Sequence, residues 1–101
     1  MAKLYDEWRV FPHGPVERID DGILGVEGEI RMPLGRFPRR MTVVALRDGG
    51  GTVVFSPVSL HEPAMREIEE LGAPTFMVVP NRFHRLDAGA WKKRYPKIKT
   101  I

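Results

Sequence analysis

The sequence predicts an α/β (α+β) fold: a mixed β-sheet with antiparallel N-terminal strands and two helices on one face. Three observations predict it. A Val-rich hairpin pattern occupies the middle of the chain, an apolar pattern of helical spacing follows it, and strand and helix patterns then alternate to residue 101. Such alternation implies right-handed parallel crossovers within one sheet. With 101 residues, 43% of them hydrophobic, the chain suits a single domain over 1–101 with a modest core.

Taken in order, "WRVF" at 8–11 and "VERID" at 15–19 alternate as short strands, separated by His13-Gly14-Pro15. "GILGVEGEIRM" at 22–32 alternates Ile23 and Val26, then Ile30 and Met32, with glycines that invite a bend or bulge, and reads as one strand or as two with a kink. Residues 33–38, bounded by Pro33 and Pro38, read as a loop. The hairpin comprises strands 40–47 and 52–56 around Asp48-Gly49-Gly50-Gly51, glycines that supply positive φ. A helix over 61–71 follows, with Pro63 in its first turn, Ala64, Met65, Ile68 and Leu71 on one face, and Gly72 as cap. "TFMVVP" at 75–80 is continuously apolar, as expected of a strand covered on both faces. Asp87 is placed to cap a helix over 88–94 that Tyr95-Pro96 ends, and "KIKTI" starts another strand.

The net charge is +3 and unevenly spread. Residues 81–101 hold seven basic residues against Asp87 alone, giving +6 there and −3 over the preceding 80. The basic patch of Arg82, Arg85, Lys92, Lys93 and Arg94 reads either as the solvated side of a short helix or as a phosphate or nucleic-acid surface. The chain contains no cysteine, which excludes disulfides, thiolate metal sites and a cysteine nucleophile. Its first ten residues, "MAKLYDEWRV", lack a signal-peptide core, and no membrane-spanning segment is present. The expected location is the cytoplasm.

His84 follows an apolar strand, in a loop at the edge where open α/β sheets bind ligands. It reads as a metal ligand or base, or as a locally bonded loop histidine; with no second histidine within five positions the latter is favoured. Asp87 could share its site, although the cap role accounts for it. His61 and Glu62 begin the first helix, the histidine simply exposed. Ser56 and Ser59 lack the spacing of a nucleophile elbow, and the glycines at 49–51 precede a strand rather than a phosphate-binding helix. Arg36, Arg39 and Arg40 form a small basic group without evident use.

Together, "RMTVVALRDGGGTVVFSPVSL", the helix after it and "FMVVPNRFHRLDAGAWKKRYP" resemble the first half of a metallo-β-lactamase superfamily domain, in an uncharacterised bacterial branch. The resemblance covers about residues 8–101. It implies half of an αββα sandwich. It also implies a His-x-His-x-Asp-His metal motif, of which His84 alone matches: Arg82, Leu86 and Asp87 stand at the other positions. Arg82 would place a cation where a neutral donor belongs, and Leu86 removes a bridging carboxylate.

The expectation is therefore a metallo-β-lactamase-like binding or assembly module without catalysis and without a cofactor. It would form a homodimer through the uncovered sheet face, unless the chain is a fragment of a longer protein. Two alternatives stand beside it. One is a hydrolase, completed by a second half or subunit, using zinc or another divalent metal at His84 and Asp87. The other is a nucleic-acid-binding module acting through the basic C-terminal segment.

Overall fold

The computed structural model describes residues 8–32, 35–80 and 87–101, with 30–32 described by their backbone. One six-stranded sheet runs in chain order: β1 (Glu17–Asp20), β2 (Ile23–Met32), β3 (Gly35–Ala45), β4 (Thr52–Phe55), β5 (Pro74–Val78) and β6 (Lys99–Thr100). Pairing is antiparallel from β1 to β4 and parallel from β4 to β6. Helices α1 (Glu62–Leu71) and α2 (Ala88–Arg94) connect the parallel strands, as parallel pairing requires. The α+β class expected from the sequence is the class observed.

Alternation along the strands decides which face is buried. Leu24 and Val26 on β2 pair with Val43 and Met41 on β3, while Thr52 and Val54 continue the same face across β4. Met65 and Ile68 of α1 and Trp91 of α2 join Val26, Met41, Val43, Val54 and Met77 in one buried cluster, which puts both helices on that face. The opposite face carries two rows of side chains. Ile23, Val44, Val53, Phe76 and Lys99 lie side by side in register; Gly25, Thr42, Phe55 and Val78 make the next row. No helix covers these rows among the described residues. Phe76 and Val78 are accordingly half-buried, and the expectation of a strand covered on both faces is corrected.

Other boundaries move for identifiable reasons. The expected loop at 33–38 is strand from Gly35 onward, with Pro38 opposite Glu29. Pro38 is tolerated because β4 joins β3 only from Thr42, so no neighbouring strand needs its missing N–H. β2 pairs with β3 without interruption, so of the two readings of 22–32 it is one strand and not two with a kink. The hairpin turn is a short 3-10 segment, Arg47–Gly49, in which Asp48 (φ 60°) shares the left-handed work with Gly49 (73°) and Gly51 (88°). Residues 8–11 form no strand; one isolated bridge, His13 to Gly28, ties this segment to the sheet. Gly72 ends α1, but in extended backbone (φ 160°). A Cβ there would lie 3.2 Å from Thr52 Cγ2, so its smallness serves close packing.

Candidate functional site

β4 and β5 are parallel, so their C-terminal ends open at one edge of the sheet, where ligands of α/β folds commonly sit. The chain leaves β4 through Ser56-Pro57-Val58-Ser59-Leu60, all buried. Ser56 turns it with a left-handed φ of 58° and is held by its N–H donating to the Val78 carbonyl at 2.9 Å. The Val58 N–H meets Met41 Sδ at 3.3 Å, and the Ser59 N–H donates to Asp87 Oδ2 at 2.9 Å. β3 runs past the end of β4 on this side, carrying Arg39 above the loop.

Arg39 and Asp87 meet here. Nη2 lies 2.8 Å from Oδ2, with the two side chains 2% and 4% exposed. The contact is a close ion pair whose geometry falls short of a hydrogen bond, so none of the guanidinium nitrogens makes one among the described residues. Ser59 Oγ and Trp91 Nε1 are likewise buried without partners there. Phe11 stands beside the guanidinium, its ring centroid 5.9 Å from Cζ.

Asp87 precedes α2 as expected, and its carbonyl accepts from Trp91 N at 3.0 Å. Its side chain makes no capping bond, however; the carboxylate turns inward to Arg39 and Ser59. A buried cation attracts a carboxylate more strongly than a helix end does. His84, Arg82, Arg85 and Leu86 lie outside the described residues. Among the described residues no group of three or more histidine, aspartate or glutamate side chains could hold a metal ion.

The described part of the basic patch is spread among separate contacts. Arg94 makes two 2.8 Å bonds to Glu62 across α1 and α2, and packs over the Trp8 ring at 4.7 Å. This pairing holds the Glu62 carboxyl below its usual range and pushes the Arg94 guanidinium up. Lys92 Nζ donates to the Ile98 carbonyl, whereas Lys93 is exposed. Beside them burial, followed by a 2.7 Å bond to Glu69, pushes the Tyr95 hydroxyl up.

Two features were not anticipated as site elements. Arg39 was grouped with its arginine neighbours, although it shares the alternation of Met41 and Val43 and so had a core position. His61, expected to be merely exposed, occupies the N-cap of α1, its Nδ1 accepting from Ala64 N at 3.4 Å. Its ring lies 4.4 Å, centroid to centroid, from that of His13. No helix among the described residues is long and apolar enough to cross a membrane. No family model matches the chain, and no curated protein matches it.

Proposed function

We propose that this chain is a non-catalytic assembly module, a metallo-β-lactamase-like half-sandwich whose bare sheet face is closed by a second copy. The observation that carries the reading is the bare face itself. Phe55 is 40% exposed and Ile101 74%, beside half-buried Ile23, Val44, Val53, Phe76 and Val78. An apolar face of this extent gains free energy when a matching face excludes water from it.

Charge placement favours one arrangement. Glu17 projects from this face on β1, Glu27 on β2 is paired there with Arg40, and Lys99 projects from it on β6, at the opposite edge. A two-fold axis parallel to the strands would set the β1 edge of one copy against the β6 edge of the other, bringing unlike charges together. A two-fold axis lying across the strands would instead set β1 edge on β1 edge and stack acid on acid. The Asp87 carboxylate, meanwhile, already faces the cation Arg39, so a divalent ion would have to displace a buried guanidinium to use it.

Native mass spectrometry of protein purified without chelators tests both halves of the reading. The expected species is a metal-free dimer. A monomer at micromolar concentration would remove the assembly role, and stoichiometric zinc, iron or manganese would restore the hydrolase.

A further inference from the structure

At the β1 edge of the sheet the helical layer ends with α1, and a groove of about 300 Å³ runs between that edge and the helix. Its floor is apolar. Gly22, Leu24 and Leu71 form it, the two leucines half-buried against the core cluster. Leu24 shares the alternation of Val26 and pairs with Val43, so the groove opens on the helical side, away from the bare face. β1 itself is exposed at all four of its residues.

The rim is acidic. Asp20 lines the groove from the sheet, and Glu67 and Glu70 line it from α1. Arg18 is there too, but it is engaged by Asp21. Glu62 is taken by Arg94 and Glu69 accepts the Tyr95 hydroxyl, whereas the Glu67 and Glu70 carboxylates make no hydrogen bond or ion pair among the described residues. Their position is unfavourable on local grounds. They are neighbours on one side of α1, they approach the negative end of its dipole, and its last turn contains no basic residue. Arg66, the only basic residue of α1, bears on Glu62 in the first turn. A partner that brings cations to the groove would remove this cost.

We propose that this groove docks an amphipathic helix of a partner protein, whose apolar side chains seat on Leu24 and Leu71 while flanking lysines or arginines reach Asp20, Glu67 and Glu70. Such a helix lies beside α1 and extends the helical layer over β1, at the interaxial spacing of about 10 Å usual for packed helices. Lysine suits both parts of the groove, since its methylene stem covers apolar surface while its ammonium reaches a carboxylate. The same carboxylates disfavour an acidic helix, so charge decides which partner binds more than how tightly. The bare face stays free, and docking is therefore independent of self-association.

The test is amide chemical-shift mapping of the isotope-labelled full chain with a synthetic peptide of about 14 residues, carrying leucines at helical spacing and lysines beside them. The expected shifts are confined to residues 18–24 and 67–71. Glu67→Gln/Glu70→Gln should bind the peptide roughly three- to tenfold more weakly, yet melt no lower than the wild type, since it removes carboxylates from the negative end of a helix. Asp48→Asn, which removes a carboxylate from the hairpin turn, should leave the affinity unchanged. Absence of binding overturns the proposal, as do shifts centred on Val53, Phe55 and Phe76, which would put the peptide on the bare face. Undiminished binding by the double variant or an equal loss in Asp48→Asn would count the same way. Groove amides that shift when the protein alone is concentrated would make a second copy the occupant and overturn it as well.

Discussion

Asp87 is the residue on which the site edge depends most, because its carboxylate is the counter-charge to a buried guanidinium that makes no hydrogen bond among the described residues. Removing one member of a buried pair strands the other. Asp87→Ala is therefore expected to cost about 3–5 kcal/mol, whereas replacing both Arg39 and Asp87 with apolar residues of similar volume should cost much less than the two single changes together. Urea denaturation of the four proteins checks this. A loss below about 1 kcal/mol for Asp87→Ala would mean that Arg39 reaches water once its partner is gone. Part of this pair was legible in advance: Arg39 lies on the alternation of Met41 and Val43, and an arginine on a core face calls for a carboxylate. What the sequence could not supply was the partner, 48 positions away, whose spacing before a helix reads equally well as a cap. The strength of a local pattern concealed a tertiary contact.

At the scale of elements, the hairpin between β3 and β4 shows how one glycine differs from its neighbours. Gly50 has an ordinary φ of −73°, and an added Cβ would meet Leu46 Cβ at 3.4 Å, a tolerable contact. Gly49 has a positive φ of 73° but open space around it. Gly51 combines a φ of 88° with crowding: a Cβ would overlap the Ala73 carbonyl and Thr75 Oγ1, where the strand after α1 passes. Gly51→Ala should accordingly cost about 2–4 kcal/mol, Gly49→Ala about 1 and Gly50→Ala close to nothing. Thermal unfolding of the three variants ranks them, and equal costs at Gly49 and Gly51 would show that turn geometry alone matters. The run of glycines made the hairpin plain in the sequence, as did helical spacing for α1 and the Asp87 and Tyr95-Pro96 boundaries for α2. Residues 8–11 misled, since "WRVF" alternates like a strand yet Trp8 is spent on Leu60 and Trp91. Alternation reports two-sidedness, and a segment lying across a helical layer is two-sided as well.

For the whole molecule, the order of strands followed from the change of period after Phe55, and the missing layer followed from counting: two helices can cover one face of six strands. Which face stays bare is set by parity, since Val53 and Phe55 alternate with buried Thr52 and Val54. If a second copy covers that face, folding and association are coupled, and the melting temperature must depend on protein concentration through mass action. For a hundredfold increase in concentration the dimer gains about 2.7 kcal/mol, which raises the melting temperature of two chains of this size by roughly six degrees. Phe55→Glu places a carboxylate in the centre of the face while leaving the buried cluster untouched, as Phe55 is on the exposed side. This variant should melt at a concentration-independent temperature below that of the wild type and sediment as a monomer. A wild type whose melting temperature ignores concentration, with Phe55→Glu behaving identically, would leave the bare face without a second copy as its partner.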